Sequence, residues 1–128
     1  MFVRRPYLGE LEIAVMEHLW SVGAADAKSV HRHLGVARGV TANTIQSTVE
    51  RLFKKGLLKR EKVSHAYVYS PDVTRERLMA DMIDNVVSKL SGGSTEAMLS
   101  SFVDLADRAE EDTLDRLEAM IADRRRKR

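Results

Sequence analysis

Polar side chains in one stretch of the chain are suited to reading nucleic-acid bases. Asn43 and Ser47 lie four residues apart, with Thr44 next to Asn43 and Arg51 one helical turn beyond Ser47. Asn can pair with adenine through two hydrogen bonds, Arg can pair with guanine in the same way, and a Thr methyl group can contact a thymine methyl. Because residues three and four apart share one face of a helix, these four side chains predict a base-reading surface.

Cationic side chains follow this surface along the chain and could bind a phosphate backbone. Several of them fall in and around a predicted β-hairpin, where they would add affinity for DNA without reading its sequence. The residues that we predict to contact phosphates are Thr41, Lys54, Lys55, Lys59, Arg60, Lys62 and His65.

A helix that begins near Thr41 must hold the base-reading side chains. Thr41 is a suitable N-cap, because its hydroxyl can accept a hydrogen bond from a free amide of the first turn. Ile45, Val49 and Leu52 recur at helical spacing and would form the buried face of this helix. Gly56 marks its end.

A β-hairpin is predicted directly after this helix. Leu57-Leu58 opens the first strand and Ala66–Ser70 forms the second, around a polar tip at Glu61–His65. Two further helices, from Leu8 to Trp20 and from Asp26 to Leu34, precede the reading helix. This order of elements predicts a winged helix-turn-helix, which is a DNA-binding fold.

The first of these helices has one apolar and one acidic side. Leu11 and Leu19 would face inward, whereas Glu10, Glu12 and Glu17 would face solvent. Three helices and a hairpin can share one small core. A core of fewer than ~80 residues is thin, so we expect support from the second half of the chain or from a partner.

Three more amphipathic helices are predicted in the second half. They begin near Thr74, near Thr95 and after Asp107, and the segment Ser91–Ser94 separates the first two. Helices of this size bury little apolar surface alone, so we expect an identical set from a second chain to cover them. The predicted dimerisation residues are Leu78, Met82, Ile83, Val86, Leu90, Leu99, Phe102, Val103, Leu114, Leu117 and Ile121.

The composition excludes several classes of protein. The 128 residues contain no cysteine, which removes disulfides, thiolate metal sites and thiol catalysis. No apolar run approaches the ~20 residues that a membrane span requires, so we expect no membrane insertion and a cytoplasmic location. Residues 1–70 carry 11 Lys/Arg against 6 Asp/Glu, whereas residues 71–123 carry 5 against 13. We therefore expect only the first half to face a polyanion.

The sequence contains no arrangement typical of an enzyme. It lacks a Gly-rich phosphate loop, an H-E-x-x-H zinc motif and a G-x-S-x-G nucleophile elbow. His31 and His33 suggest a metal site, but residues two apart on a helix point about 200° apart and cannot easily hold one ion. We predict no enzymatic activity, no metal and no cofactor.

Several motifs resemble those of the penicillinase-repressor family, BlaI/MecI. They are Leu8–Glu12 with His18-Leu19-Trp20, Asn43–Ser47 with Arg51-Leu52 and Lys54–Gly56, Ala66–Tyr69, and Gly92–Ser94 followed by Leu99, Phe102 and Val103. The likeness covers nearly the whole chain from Leu8, in the same order and spacing. It implies a homodimeric transcriptional repressor that binds a palindromic operator in double-stranded DNA.

Taken with the resemblance, the residues predict a mainly α-helical protein with a small β-hairpin. We expect a winged-helix DNA-binding domain over residues 1–71 and a helical dimerisation domain over residues 72–123. The basic residues 124–128 are expected to form a disordered, solubilising tail.

The resemblance also implies that repression is relieved by proteolysis. In the family's β-lactamase branch, a regulatory protease system triggers a cut just before an aromatic residue of the dimerisation domain. The matching bond here joins Ser101 and Phe102. The family's penicillinase repressors have Asn before that Phe, whereas this chain has Ser101. The copper-responsive branch of the family carries a C-terminal cysteine motif, which this chain lacks.

Two other interpretations of a winged helix stay open at the level of sequence. One is a small-molecule-responsive regulator of the MarR kind. A drug-like ligand that shifts the melting temperature would favour this interpretation. The other is a protein–protein adaptor without a DNA role, against which the separation of basic and acidic halves argues.

Overall fold

A computed structural model of the protein describes residues 8–90, 92 and 94–128. The predicted separator therefore falls partly outside the described residues, at Ser91 and Gly93. The elements in chain order are α1 (Glu10–Val22), β1 (Ala25–Asp26), α2 (Ala27–Val30, continued by a π-helical turn over His31–Gly35), α3 (Ala42–Lys54), β2 (Leu58–Val63), β3 (Ala66–Pro71), α4 (Arg75–Leu90), α5 (Thr95–Arg108) and α6 (Thr113–Arg126). The mainly helical fold with a small antiparallel sheet confirms the predicted fold class.

The chain forms two compact units, of which the first ends at Asn85 and the second begins at Val86. The first unit has a closed core that includes the predicted inner faces of α1 and α3. Leu78 of α4 is only 5% exposed in this core and Met82 packs against it, so the first unit already covers two of the predicted dimerisation residues. The buried core residues are Leu8, Val15, Met16, Leu19, Val30, Ile45, Val49, Leu52, Leu57, Leu58, Tyr69 and Leu78.

The sheet of the first unit contains a strand that the sequence did not predict. The two residues of β1 pair antiparallel with β3, so the strand order is β1-β3-β2. The hairpin tip is also shorter than predicted, because Val63 still pairs with Ala66 and only Ser64 and His65 form the loop. Ser64 has a positive φ of 58°, as such a tight reversal requires.

Glu12 lies on the inner side of α1, so its predicted position facing solvent is wrong. The residue is 9% exposed, and one carboxylate oxygen accepts a hydrogen bond from the Gly9 amide at 3.1 Å. The other accepts a bond from Lys55 Nζ at 2.7 Å. Burial acts to raise the pKa of Glu12, but the bonds from Lys55 and Gly9 and the nearby Arg51 charge together hold it below its usual 4.5.

The turn between α2 and α3 is shaped by a glycine in the π-helical segment. A Cβ atom on Gly35 would lie 2.6 Å from the His31 ring and 3.1 Å from Ile45 of α3. The His31 ring also bonds the Val40 carbonyl oxygen, with 2.9 Å between Nε2 and O. The absence of a side chain at Gly35 therefore lets the π-helical segment pack closely against α3.

Side chains at the start of α4 connect it to α1 within the first unit. The Trp20 indole Nε1 donates a hydrogen bond to the Val73 carbonyl at 2.9 Å. The Arg75 guanidinium lies over the same indole, with its Cζ 4.8 Å from the ring centroid, and pairs with Glu17. These contacts hold the start of α4 against α1.

The second unit leaves most of its apolar side chains uncovered. Among its described residues only Ala106 is buried, whereas Leu90 is 82% exposed and Met120 is 69% exposed. Ser94 caps α5 through a hydrogen bond from the Ala97 amide at 3.1 Å. The helix α6 extends through Arg124–Arg126, so the prediction that these residues belong to a disordered tail is wrong.

Candidate nucleic-acid interface

The helix α3 presents the predicted base-reading residues on an exposed face. Its N-cap is Thr41, whose hydroxyl oxygen accepts a hydrogen bond from the Thr44 amide at 3.2 Å, as predicted. Asn43, Thr44 and Ser47 are exposed, and the core side of the helix lies opposite. We call Asn43, Thr44, Ser47 and Arg51 the reading face. Its side chains offer amide, hydroxyl and guanidinium groups, which is the chemistry that base edges require.

Arg51 stands at the edge of the reading face and has partners inside the protein. Its side chain is 55% exposed, and its Nε lies 3.9 Å from the Glu12 carboxylate. One guanidinium nitrogen also donates a hydrogen bond of 3.4 Å to the hydroxyl of the buried Thr48. These contacts are long, so the guanidinium can leave them at small cost when a stronger acceptor approaches.

The strands β2 and β3 and their two-residue loop form a hairpin beside α3, which we call the wing. Lys59, Lys62 and His65 are exposed on it. Neither Lys59 nor Lys62 pairs with a carboxylate in the part of the chain that the structure describes. Together with Lys54, which is exposed near the end of α3, they form a cationic border along the reading face. Such a border can bind phosphates in a sequence-independent way.

Two predicted phosphate contacts have internal partners instead. The Lys55 side chain is 17% exposed and its ammonium bonds Glu12, so it connects the end of α3 to the start of α1. The Arg60 side chain is 21% exposed and pairs with Glu50 of α3, with 2.8 Å between Nη1 and the carboxylate oxygen. Both cations are therefore engaged within the first unit.

Lys28, which the sequence did not single out, borders the same surface. A cavity of about 340 Å³ lies between the start of α2, the reading helix and the wing. Lys28 of α2 and Gln46 of α3 line it together with His65 and Tyr67. The first helix of a helix-turn-helix crosses the DNA backbone. The position of Lys28 in the first turn of that helix was the signal that could have identified it.

Other kinds of site receive no support from the geometry. Across residues 8–90, 92 and 94–128, no three His, Asp or Glu side chains are grouped as a metal ion would require. His18 and His33 stack with ring centroids 5.7 Å apart, and the His33 ring bonds the Ser29 carbonyl. In the same described ranges, no helix is both long and apolar enough to span a membrane.

Comparison with known proteins gives consistent matches. A sequence profile described as the penicillinase repressor matches residues 8–123. The transcriptional regulator BlaI of Mycobacterium tuberculosis is 35% identical over 111 residues, covering 85% of this chain and 80% of that protein. The penicillinase repressor of Bacillus licheniformis is 23% identical over 99 residues, covering 77% of each chain.

A solved structure gives the same result for the fold. The solution structure of the DNA-binding domain of the repressor BlaI matches with a TM-score of 0.53 and 26% identity, covering 59% of this chain and 93% of that one. The profile match takes in every element from α1 to α5 and most of α6. The curated relatives are transcriptional regulators rather than enzymes. The chain therefore belongs to the penicillinase repressor family, BlaI/MecI, a family of DNA-binding winged-helix transcriptional repressors.

Proposed function

We propose that this protein represses transcription by binding a palindromic DNA operator as a homodimer. The observation that carries the proposal is the reading face of α3, exposed beside a cationic wing in one compact unit. The α3 helix would enter the major groove, and the wing would lie against the backbone. A repressor of this kind would be located in the cytoplasm, together with its operator DNA.

Sequence specificity is assigned to the reading face. In a helix-turn-helix the N-terminal residues of the second helix reach deepest into the groove, which favours Asn43, Thr44 and Ser47. Arg51 would exchange its long internal contacts for a guanine, which it can bind through two hydrogen bonds. Each well-placed pair of this kind discriminates against the wrong base by ~1–3 kcal/mol.

Affinity is assigned to the phosphate contacts around that face. Thr41, Lys54, Lys59, Lys62 and His65 are exposed and border α3 or the wing. Lys28 is added to this set because it lines the same cavity as His65. Lys55 and Arg60 are given structural roles, because Glu12 and Glu50 already bind them.

Dimerisation is assigned to the second unit and the end of α4. Apolar side chains that are 36–82% exposed would be covered by the same surface of a second chain. The two reading helices would then contact half-sites about 34–36 Å apart, or a multiple of that distance. The residues kept for this role are Ile83, Val86, Leu90, Leu99, Phe102, Val103, Leu114 and Ile121, together with the half-buried Leu117.

Proteolytic relief of repression is proposed at the bond between Ser101 and Phe102. This bond lies inside α5, where the Ser101 hydroxyl donates a hydrogen bond of 2.8 Å to the Ala97 carbonyl. A protease requires an extended substrate, so α5 must open locally before it can be cut. A cut would separate the two reading helices, and the loss of bivalent binding would lower the operator affinity.

Selection of bound duplexes from a random pool, at about physiological salt, tests the proposal with the purified full-length protein. We expect recovery of an inverted repeat. Recovery of no consensus, together with binding that disappears as salt rises, would reduce the surface to a non-specific polyanion site and contradict the proposal.

Two substitutions then separate specificity from affinity on the selected duplex. We expect Asn43→Ala to change the preferred sequence and Lys62→Ala to weaken binding to every sequence alike, with a shallower salt dependence. Binding of selected and scrambled duplexes is compared for both variants. If Asn43→Ala lost the same affinity for both duplexes, Asn43 would have no role in reading the base sequence.

A further inference from the structure

The guanidinium of Arg60 lies between two aromatic rings from different elements. Its Cζ atom is 3.9 Å from the ring centroid of Phe53 on α3 and 4.0 Å from that of Tyr67 on β3. Both distances are well within the ~6 Å over which a cation and a ring attract each other. Arg60 is itself on β2, so one side chain joins both strands of the wing to the reading helix.

The edge of the same guanidinium is bound as well. Arg60 Nη1 pairs with a Glu50 carboxylate oxygen at 2.8 Å, and the Tyr69 hydroxyl donates a 3.4 Å hydrogen bond to that same oxygen. The planar faces of the guanidinium are thus covered by rings and one edge is taken by a carboxylate. A phosphate would have to displace Glu50, an acid that lies on α3 itself.

The position of Glu50 gives this arrangement a consequence for DNA binding. Glu50 follows Ser47 by three residues along α3, and its side chain is 35% exposed. An unpaired carboxylate there would repel the phosphates that the wing lysines attract. In contrast, Lys59 and Lys62 are exposed and have no carboxylate partner among the described residues.

We infer that Arg60 is a positioning residue, which fixes the wing to the reading helix and neutralises Glu50, and that it does not contact the phosphates itself. The inference rests on the proposed function. Arg60 acts through Lys59 and Lys62, because it sets where the wing holds these cations relative to the reading face.

The salt dependence of binding to a mixed-sequence duplex distinguishes this role from a direct contact. Each phosphate contact contributes about 0.9 to the slope of log affinity against log salt. A direct contact predicts that Arg60→Met and Lys62→Ala each remove about 0.9, and that their effects add. The positioning role predicts that Arg60→Met removes about 1.8, because both wing lysines are lost, and that Lys62→Ala then removes nothing more.

Two further variants give the sharpest contrast. Arg60→Lys keeps the charge but lacks the planar group that stacks between the rings. If Arg60 is a positioning residue, the salt slope of Arg60→Lys should equal that of Arg60→Met. If Arg60 contacts a phosphate directly, the slope of Arg60→Lys should equal that of the wild type. Phe53→Leu removes no charge at all. We nevertheless expect it to flatten the salt dependence, and an unchanged slope would overturn the inference.

The carboxylate provides an independent test. Glu50→Gln should strengthen binding more in the Arg60→Met background than in the wild type, because only there is the acid unpaired. Equal strengthening in both backgrounds would contradict the neutralising role of Arg60.

A measurement on the free protein separates failure of the inference from failure of the proposed function. Amide hydrogen exchange of β2 and β3 should accelerate in Arg60→Met but not in Lys62→Ala, and α1 should be unaffected in both, which also controls for unfolding. Wild-type protein that binds no duplex even at low salt would refute the proposed function and this inference with it. Normal wild-type binding with additive slopes would refute the role of Arg60 alone.

Discussion

The two units of this protein are built from similar amphipathic helices but differ in how much apolar surface they cover. In the first unit, Leu19, Ile45 and Leu52 are fully buried, because three helices, the sheet and the start of α4 close around them. In the second unit, Leu90 and Met120 are mostly exposed. The first unit therefore encloses its own apolar core, whereas the second would rely on a second chain, in the proposed dimer, to cover its apolar surface.

The largest effect is expected from a charge placed among the exposed apolar side chains of the second unit, which we call the exposed stripe. Leu99 of α5 is 51% exposed, and Leu99→Glu should produce a monomer by sedimentation analysis. Because bivalent binding is lost, the affinity for a full inverted repeat should fall by about 10²–10⁴-fold. Ile13→Glu, at a 36% exposed position of α1, is the matched control and should leave the dimer intact. A dimeric Leu99→Glu protein would remove the proposed role of the stripe.

A second prediction compares the two units by a single truncation in each. Leu19→Ala removes a fully buried side chain of α1 and should lower the free energy of unfolding by about 2–5 kcal/mol. In the monomeric Leu99→Glu background, Leu90→Ala, at an 82% exposed position, should change it by less than about 0.5 kcal/mol. Urea titrations followed by circular dichroism measure both. Similar losses would mean that the two units do not differ in the way described.

The ion pair between α1 and α3 gives a third prediction, confined to the first unit. Glu12→Gln leaves the ammonium of Lys55 without its carboxylate, and should cost about 1.5–3 kcal/mol of unfolding free energy. Glu17→Gln on the same helix removes a half-exposed pair with Arg75 and should cost less than about 1 kcal/mol. Thermal melts rank the two. A larger loss for Glu17→Gln would show that burial does not decide the strength of these pairs.

The same carboxylate makes the stability of the first unit depend on pH. The pKa of Glu12 is lower in the folded protein than its usual 4.5, so its stabilising contribution is present above that value and is lost as pH falls through the folded pKa. The difference in unfolding free energy between the wild type and Glu12→Gln should therefore be constant at neutral pH and shrink below about 4.5. A difference that persists in acid would point to packing rather than charge.

The smallest effect is expected from two matched helix caps. Thr41→Ala removes the cap of α3 and Ser94→Ala removes that of α5, and each should cost about 0.5–2 kcal/mol. If the second unit is stable only in a dimer, the melting temperature of its Ser94→Ala variant should depend on protein concentration. The melting temperature of the α3 region in Thr41→Ala should not depend on protein concentration. Equal concentration dependence in the two variants would contradict a difference between the units.

The elements that sequence predicts well are those whose signals are local. The α3 helix carries its cap, its buried stripe and its terminal glycine within 16 consecutive residues, from Thr41 to Gly56, and all three are confirmed. The β1 strand has only two residues, Ala25 and Asp26, and exists because β3 offers a free edge. Its formation is a tertiary event, which no window of the chain contains.

The candidate site shows the same limit. Exposure of Asn43, Thr44 and Ser47 follows from the helical period alone, so the exposed side of α3 could be predicted. Whether a lysine or arginine is available to a phosphate depends on acids that are distant in sequence. Lys55 meets Glu12, 43 residues away, and Arg60 meets Glu50 across the boundary of two elements. Charge counting treats all these cations alike, and the structure separates them.

The fluorescent side chains of the protein are distributed unevenly, and Trp20, which bonds the Val73 carbonyl, is the strongest emitter. Trp20 is the one tryptophan of the chain, and all three tyrosines precede α4 as well. Near-ultraviolet emission therefore arises from the first unit, with the indole at the α1–α4 junction under the Arg75 guanidinium. The second unit contributes almost no fluorescence in this spectral range, because it contains neither tryptophan nor tyrosine. A change in the indole emission therefore reports on the surroundings of Trp20 in the first unit.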